Sequence, residues 1–387
     1  MSPLEEAIIA NDALPERERK TNIDLAEEFH TSEATVRRRR RALKRKSQDT
    51  LSRDEFFDLP VGAITKRGKT VRLADGSYEK IEYRPGTLEM EEAKRLSYED
   101  LEPVFQEPLL PKPGLASEKG DTLIVCMADY QVGKTQSGGG TEDTVRLVRR
   151  AIKDIADDVL FTGGYERIIL ADVGDSTEGF WNVAAQAQTN DLSLTDQIRT
   201  VQRLYAEALK TFAPLCSSLY YVAVPSNHCA VRTGPGKNSR ANAPDDDFGI
   251  MVSKNIEDIV EDRPGFEHVK FFRPEKWEEA VTVDAADGTR IGFTHGHLAG
   301  SQSKVPGWFR DLAFGRRSGL YDARILVHGH WHNFAVNQVG DARWIISCPS
   351  ADRGSDWWTN ISGDSTRPAI LTFEARDGNA SSWELHS

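Results

Sequence analysis

The chain has few cysteines and no long apolar run, and these absences exclude several classes of protein. Its four cysteines lie far apart without a Cys-x-x-Cys pair, which argues against a disulfide framework or a zinc finger and fits a reducing cytoplasm. No apolar run approaches the roughly 20 residues of a membrane helix. The acidic N-terminus lacks the basic-then-apolar order of a secretion signal. We therefore expect a cytoplasmic protein with no membrane partner.

The apolar content is sufficient for several folded domains. The 387 residues are 39% hydrophobic and 28% charged, which excludes a disordered chain and suits two or three domains. The net charge is −11, yet residues 36–46 hold eight basic and no acidic side chains. One dense basic stripe on an acidic protein indicates a local anionic partner.

The basic stripe belongs to the first of three predicted segments, residues 1–46, which has a helical pattern. The apolar face predicted for the helix at 21–30 consists of Ile23, Leu25, Ala26 and Phe29. Ser32 is a suitable N-cap for a second, arginine-rich helix. Over about residues 21–46, this short helix, turn and basic helix resembles a helix-turn-helix DNA-binding unit, although Arg40 lies where an apolar residue is expected.

That resemblance implies contact with nucleic acid, in particular DNA, through the second helix. The residues predicted to make the contact are Arg37, Arg38, Arg39, Arg40, Arg41, Lys44, Arg45 and Lys46. The alternative is a solvated, charge-rich helix that binds nothing.

The other two segments differ in their pattern. Residues 47–119 are predicted to be an adaptor, with a hairpin over 69–83, a short helix over 87–101 and a proline-rich linker over 107–121. Residues 120–387 alternate strands and helices, which predicts an α/β layered fold. The predicted strands are 122–128, 167–173, 219–224, 290–295, 324–329 and 344–348, and the predicted helices lie near 141–160, 190–213 and 245–261.

The strongly polar clusters of the third segment each follow a predicted strand. These clusters are Asp129–Gln131, Gly174–Glu178, Ser226–His228, His295–His297 and His328–His332. Ligands of α/β sheets bind beyond the carboxyl ends of the strands. We therefore expect the five clusters to converge.

The residue types in these clusters favour a metal site. Aspartate, asparagine, glutamine and histidine without thiolate suit Mn²⁺, with Fe²⁺ or Zn²⁺ as alternatives. They outnumber the ligands of one ion, so two ions bridged by a carboxylate are predicted. Asp175 is the favoured bridge because the preceding glycine permits a sharp turn. Extended backbone would direct the imidazoles of His330 and His332 to the same side, so that one could serve each ion.

Two such metal ions would activate a water molecule for attack on a phosphoester. His228 could then protonate the leaving oxygen.

At these residues the sequence resembles the calcineurin-like metallophosphoesterase family, whose pattern is D-x-H, G-D, G-N-H, H-G and G-H-x-H in that order. The resemblance covers about residues 122–350 and implies a layered β-sandwich flanked by helices, with His228 as the catalytic histidine. The ligands that it implies for the first metal are Asp129, Gln131, Asp175 and His332. Those that it implies for the second are Asp175, Asn227, His295 and His330. His297 would support a ligand or contact the substrate.

Two residues depart from the family pattern. Gln131 replaces a histidine, and its amide oxygen is a weaker ligand than imidazole; Ser226 replaces a glycine. Residues 128–135 also fit a permissive P-loop pattern, but glycines at 138–140 follow where a P-loop requires a helix. The P-loop would leave the later histidine clusters unexplained, so the metal centre is favoured.

Three functional hypotheses follow. The first is a metal-dependent phosphodiesterase, specifically a DNA nuclease. Asp-x-x-Val-Gly-Lys at 129–134 resembles the bacterial exonuclease-type break-repair nucleases, and any ATPase partner would be a separate protein. The second is a phosphomonoesterase or small-nucleotide phosphodiesterase localised by the N-terminal unit. The third is a non-catalytic DNA-binding scaffold with a weakened metal site, which Gln131 favours.

Overall fold

The chain folds into two compact units, Met1–Glu92 and Ala93–Ser387. The computed structural model describes residues 3–12, 14, 19–32, 35–37, 39–40, 67–72, 78–83, 102–105, 121–181, 186–233, 243–315, 319–340, 342–354, 356, 359–360 and 367–387. Most of the predicted adaptor, including its helix at 87–101 and nearly all of its linker at 107–121, lies outside these residues. The three-segment division therefore stays a prediction. In the part of the chain that is described, no helix is long and apolar enough to cross a membrane.

Among its described residues, the N-terminal unit contains two short helices, α1 (Pro3–Asp12) and α2 (Asn22–Glu28), and further helical residues at 35–37 and 39–40. Helix α2 begins with a capping box, in which Thr21 and Asp24 satisfy each other's backbone N–H groups. A small core forms from Ile8, Leu25, Ala26 and Val36, with Leu4 and Phe29 packed against it. Ile23 was expected on the same apolar face, but its side chain is 57% exposed. That expectation was wrong, because the core covers only one narrow side of so short a helix.

The predicted hairpin is confirmed. Strands β1 (Arg67–Arg72) and β2 (Tyr78–Tyr83) pair antiparallel, with Arg72 opposite Tyr78.

The larger unit is built from strands and helices in alternation. Its strands are β3 (Thr122–Met127), β4 (Tyr165–Asp172), β5 (Cys216–Ala223), β6 (Val269–Phe272), β7 (Ala280–Asp284), β8 (Arg290–Thr294), β9 (Ile325–His328), β10 (Ala335–Val339), β11 (Arg343–Ser347), β12 (Ile370–Arg376) and β13 (Asn379–His386). Its helices are α3 (Thr141–Thr162), α4 (Leu194–Phe212), α5 (Phe248–Val260) and α6 (Val305–Gly315). All six predicted strands and all three predicted helices of this unit are present.

The strands form two sheets. The first has the order β13-β12-β3-β4-β5-β6, and the second has the order β10-β11-β9-β8-β7. Strands β3 to β6 are parallel, as are β8, β9 and β11, whereas the remaining strands are antiparallel to their neighbours. Parallel strands are buried on both faces, and β3 is buried along its whole length.

The two sheets pack face to face. Ile124 and Ile169 of the first sheet share one core with Phe293 and Val327 of the second. Helices α3, α4 and α5 cover the other face of the first sheet, while α6 covers the second. The predicted α/β class, a layered β-sandwich flanked by helices, is confirmed. The parallel strands of both sheets end at the same edge, where the polar clusters follow them.

Candidate metal centre

One group of donor atoms joins the two sheets at this edge. Asp175 follows β4, His295 follows β8 and His330 follows β9. A carboxylate oxygen of Asp175 lies 2.9 Å from Nε2 of His295, and that nitrogen lies 3.2 Å from Nδ1 of His330. The three donor atoms lie within 4.8 Å of one another, a spacing that one metal ion could bridge. Nδ1 of His295 donates to the carbonyl of Val173 at 2.9 Å, so its Nε2 is the nitrogen presented to the group.

Asn227 supplies a fourth oxygen of the type that a metal ion takes. Its side-chain oxygen is buried and accepts no hydrogen bond from the residues that the structure describes. A buried polar atom without a partner is costly, and a bound cation would satisfy it. The loop that carries Asn227 is anchored by Asp247. One carboxylate oxygen of Asp247 caps the N-terminus of α5, and the other accepts from the Ser226 N–H at 2.9 Å.

A second group lies beside the first, between the ends of β3 and β9. One carboxylate oxygen of Asp129 lies 3.3 Å from Nε2 of His332. The other accepts from the backbone N–H of His330 at 2.9 Å. Asp129 is fully buried. Each histidine of the His-x-His pair therefore faces a different carboxylate, His330 the group at Asp175 and His332 that at Asp129.

Gln131 lies between these groups and His228. Its amide oxygen accepts from Nζ of Lys134 at 2.6 Å, and its amide nitrogen lies 3.5 Å from Nε2 of His228. Lys134 also forms an ion pair with Asp352, whose side chain is buried, while that of Lys134 is 10% exposed. The proposed ligand Gln131 is thus tied to a lysine, an arrangement that the sequence pattern did not predict.

His228 is held in one orientation. Its Nδ1 donates to the carbonyl of Glu178 at 2.8 Å, and the carboxylate of the same residue lies 3.3 Å from this nitrogen. The Nε2 atom faces inward, 3.9 Å from a carboxylate oxygen of Asp175. The backbone N–H of His228 donates to the other oxygen of Asp175 at 2.8 Å. The predicted catalytic histidine therefore faces the predicted bridging carboxylate.

Unusual backbone conformations are concentrated at this edge. Positive φ angles occur at Asp129 (52°), Gln131 (42°), Asp175 (51°), His330 (72°) and His332 (54°). Residues other than glycine avoid this region, and such strain clusters at functional sites. The extended backbone expected for the His-x-His pair was wrong, since left-handed turns direct its two imidazoles apart.

The buried carboxylates dominate the electrostatics of the site. Burial alone would lower the pKa of His295, but the carboxylate of Asp175 raises it to about 9. Burial is likewise outweighed at His332, where Asp129 raises the pKa to about 10. Burial and the neighbouring His295 lower the pKa of His330 to about 3. The pKa of Asp175 lies well below its usual range because the imidazoles of His295, His228 and His330 outweigh its burial. The carboxylates of Asp175 and Asp129 thus stabilise positive charge beside them, as carboxylates that bind a divalent cation do.

Neighbouring elements complete the site. The ring centroid of His297 lies 6.1 Å from that of His330, which is close enough for either predicted role of His297.

The P-loop alternative is not supported by its backbone, because the N–H groups of Gly133 and Thr135 donate to Thr141 and Thr189 of the protein itself.

The sequence argument missed two residues of the site. Asp352 follows β11, so applying the strand-end rule to that last parallel strand would have found it. Lys134 was considered only within the P-loop pattern and the Asp-x-x-Val-Gly-Lys resemblance, without a role at the site. Glu178 belongs to the predicted cluster at 174–178, and the structure shows that it orients His228.

The basic stripe is described only in part. Arg37 and Arg39 are exposed. Arg40 forms an ion pair with Asp12 at 2.9 Å and a hydrogen bond to Asn22. Its guanidinium therefore fastens the basic helix to α1 and α2, which explains an arginine at an apolar position. The remaining predicted contacts lie outside the described residues; they are Arg38, Arg41, Lys44, Arg45 and Lys46.

No protein-family profile matches the chain, and no curated protein matches it. Among solved structures, the chain is similar to a conserved uncharacterized protein from Streptococcus pneumoniae TIGR4, which is described as a predicted phosphoesterase. The two share 13% identity over 66% of this chain and 84% of that one, with a TM-score of 0.27. It is also similar to Chaetomium thermophilum Vps29, with 12% identity over 67% and 83% of the two chains and a TM-score of 0.28. A hypothetical protein from Thermus thermophilus has 12% identity over 68% and 97%, with a TM-score of 0.28. Identities and TM-scores this low assign no activity to the chain.

Proposed function

We propose that the chain is a metal-dependent phosphoesterase that cleaves phosphodiester bonds, and that its substrate is DNA. The observation that carries the proposal is the convergence of Asp175, His295 and His330 within 4.8 Å, with His228 facing the same carboxylate. Asp129 and His332 form a second donor group alongside. Carboxylates and imidazoles in this number suit two divalent cations of the Mn²⁺, Fe²⁺ or Zn²⁺ type.

The chain's donor atoms fit such ions. Asp175 would be shared between them, with Asn227, His295 and His330 on one side and Asp129 and His332 on the other. The orphaned buried oxygen of Asn227 supports this assignment. When bound, the cations would activate a water molecule and neutralise charge on the phosphoryl group.

His228 has the geometry of a general acid. Since Nδ1 is committed to the carbonyl of Glu178, the proton available to substrate is the one on Nε2, which faces the site. Transfer of that proton to the leaving oxygen lets the product depart as an alcohol and not as an alkoxide. Glu178 holds the ring in place throughout, and its nearby carboxylate favours the charged imidazolium.

The choice of DNA rests on the N-terminal unit. Arg37 and Arg39 are exposed on a helix that follows a turn, and Ser32 accepts from the N–H of Thr35 at the start of that helix. Basic side chains on an exposed helix suit phosphate contacts.

The catalytic proposal is tested with a generic phosphodiester and Mn²⁺. His228→Ala should keep its bound metal but lose turnover by roughly 10²–10⁴-fold, as expected for a general acid. Asn227→Ala should lose metal and turnover together. Wild-type protein that binds Mn²⁺ without hydrolysing any phosphoester would instead support the scaffold hypothesis. Loss of metal from His228→Ala would show that its role is misassigned.

The DNA proposal is tested by changing Arg37 and Arg39 to alanine while leaving Arg40 in place. Duplex DNA binding should weaken, and the slope of log affinity against log salt should fall by about 0.9 for each lost phosphate contact. Hydrolysis of the small diester should stay unchanged. Equal activity of both proteins on DNA would favour a small phosphoester as the substrate.

A further inference from the structure

A buried ion pair controls the orientation of Gln131. Lys134 lies between Asp352 and the amide oxygen of Gln131, and its side chain is 10% exposed. Asp352 is itself held by the loop after β11, where it accepts from the N–H of Gly354 at 3.1 Å. The ammonium group of Lys134 is therefore anchored on one side and offers a proton to Gln131 on the other.

This contact allows only one orientation of the carboxamide. Rotating it by 180° would place the amide NH₂ 2.6 Å from the lysine ammonium, so that two donors would face each other. An ammonium group has three donors and no acceptor. The oxygen of Gln131 must therefore face Lys134, and the NH₂ group lies on the side of His228, whose Nε2 is 3.5 Å away. When His228 carries its Nε2 proton, both groups are donors, so neither bonds to the other and both suit an acceptor oxygen placed between them.

We propose that Gln131 is a hydrogen-bond donor to a phosphoryl oxygen of the substrate rather than a metal ligand, and that Lys134 is the residue that positions it. The inference rests on the proposed phosphoesterase function. It assigns three protein ligands to the first metal, Asp129, Asp175 and His332. The amide NH₂ lies beside the nitrogen that delivers the proton, where an oxygen of the reacting phosphoryl group would lie.

Metal binding is the first test. Mn²⁺ titration calorimetry on Gln131→Ala should give the stoichiometry of the wild type and an affinity within about twofold of it. Asp129→Asn is the matched control, because it alters a true ligand of the same metal, and it should weaken or remove one site. A loss in Gln131→Ala as large as that in Asp129→Asn would overturn the inference. Wild-type protein without any Mn²⁺ site would overturn the proposed function as well.

Phosphate binding is the second test. Inorganic phosphate should bind the Mn²⁺-loaded Gln131→Ala protein about 2- to 10-fold more weakly than the wild type, as expected for the loss of one hydrogen bond. Unchanged phosphate affinity would refute the role of donor.

The positioning role of Lys134 is tested with Lys134→Met. Asp352 stays unchanged because its carboxylate also lies 3.7 Å from Nδ1 of His332, an assigned ligand of the first metal. Lys134→Met should weaken phosphate binding as much as Gln131→Ala, and adding it to Gln131→Ala should cause no further loss, because both changes remove the same contact. Additive losses would show that Lys134 acts on phosphate by a route other than Gln131, and unchanged phosphate affinity in Lys134→Met would show that it acts on stability alone; either result would overturn the positioning role.

Discussion

Gly174 offers a sharp test of how the site is packed. It precedes Asp175 and has a φ angle of +92°. A Cβ atom there would lie 2.7 Å from Nδ1 of His295 and 2.7 Å from Cβ of Ser226. Gly163 ends α3 with the same φ angle of +92°, but a Cβ atom there would meet nothing within 4 Å. The two glycines have the same φ angle and differ in their surroundings.

The expected cost of each substitution follows from this comparison. An alanine in the left-handed region costs about 1–2 kcal/mol, which is the whole expectation for Gly163→Ala. Gly174→Ala carries the same strain and an overpacking cost of about 1–3 kcal/mol. It should also displace His295 from the carbonyl of Val173, 2.9 Å away.

Thermal unfolding of the metal-free proteins measures the difference. The unit Ala93–Ser387 exceeds 250 residues, so at about 2.1 cal/mol/K per residue 1 kcal/mol corresponds to about 1.6 °C, and Gly174→Ala should unfold about 2–5 °C below Gly163→Ala. Mn²⁺ titration should show weakened binding only for Gly174→Ala. Equal melting temperatures, with equal Mn²⁺ affinities, would refute the packing of His295 and Ser226 against this turn.

Two further predictions concern buried carboxylates. Asp247→Ala removes both an N-cap and a loop anchor, so it should lower the free energy of unfolding by about 2–4 kcal/mol in chemical denaturation and weaken Mn²⁺ binding. The control is Ser193→Ala, which removes the N-cap of α4. It should lower the free energy of unfolding by about 1 kcal/mol and leave the Mn²⁺ affinity unchanged. Burial is the main cause that raises the pKa of Asp172 from 3.8 to about 7, so the stability that its proton confers is present below the unfolded pKa and is lost as the pH rises through 7. Urea unfolding of the metal-free proteins should therefore show that the free energy of unfolding of Asp172→Asn, relative to the wild type, is higher at pH 8 than at pH 5. The same difference between the two proteins at both pH values would contradict this assignment.

The fold of the larger unit was largely predictable from sequence. Its central strands are buried on both faces, so they appear as continuous apolar runs such as 122–128 and 167–173. Strands β7, β10 and β13 lie at sheet edges, β6 is a short edge strand and β12 pairs with the edge strand β13, and none of these five was predicted. The four edge strands are half exposed and lack the continuous apolar run that marks a central strand. Strand β12 is central and mostly buried, but polar residues alternate along it at 372, 374 and 376.

The candidate site was predictable where a local rule applied. The ends of parallel strands meet at one edge, so polar residues after buried runs were expected to converge, as Asp175, His295 and His330 do. The division of the ligands between two metals came from the family resemblance alone, and it stays a prediction.

Only the tertiary structure decided how the individual side chains are oriented. Whether Gln131 presents an oxygen or an NH₂ group depends on Lys134, which depends in turn on Asp352, a residue 218 positions away in the chain. The role of Arg40 likewise depends on Asp12 and Asn22, on two other helices. Residue type and periodicity report the element that a residue occupies, whereas hydrogen-bond direction and charge pairing arise from neighbours that only the folded chain brings together.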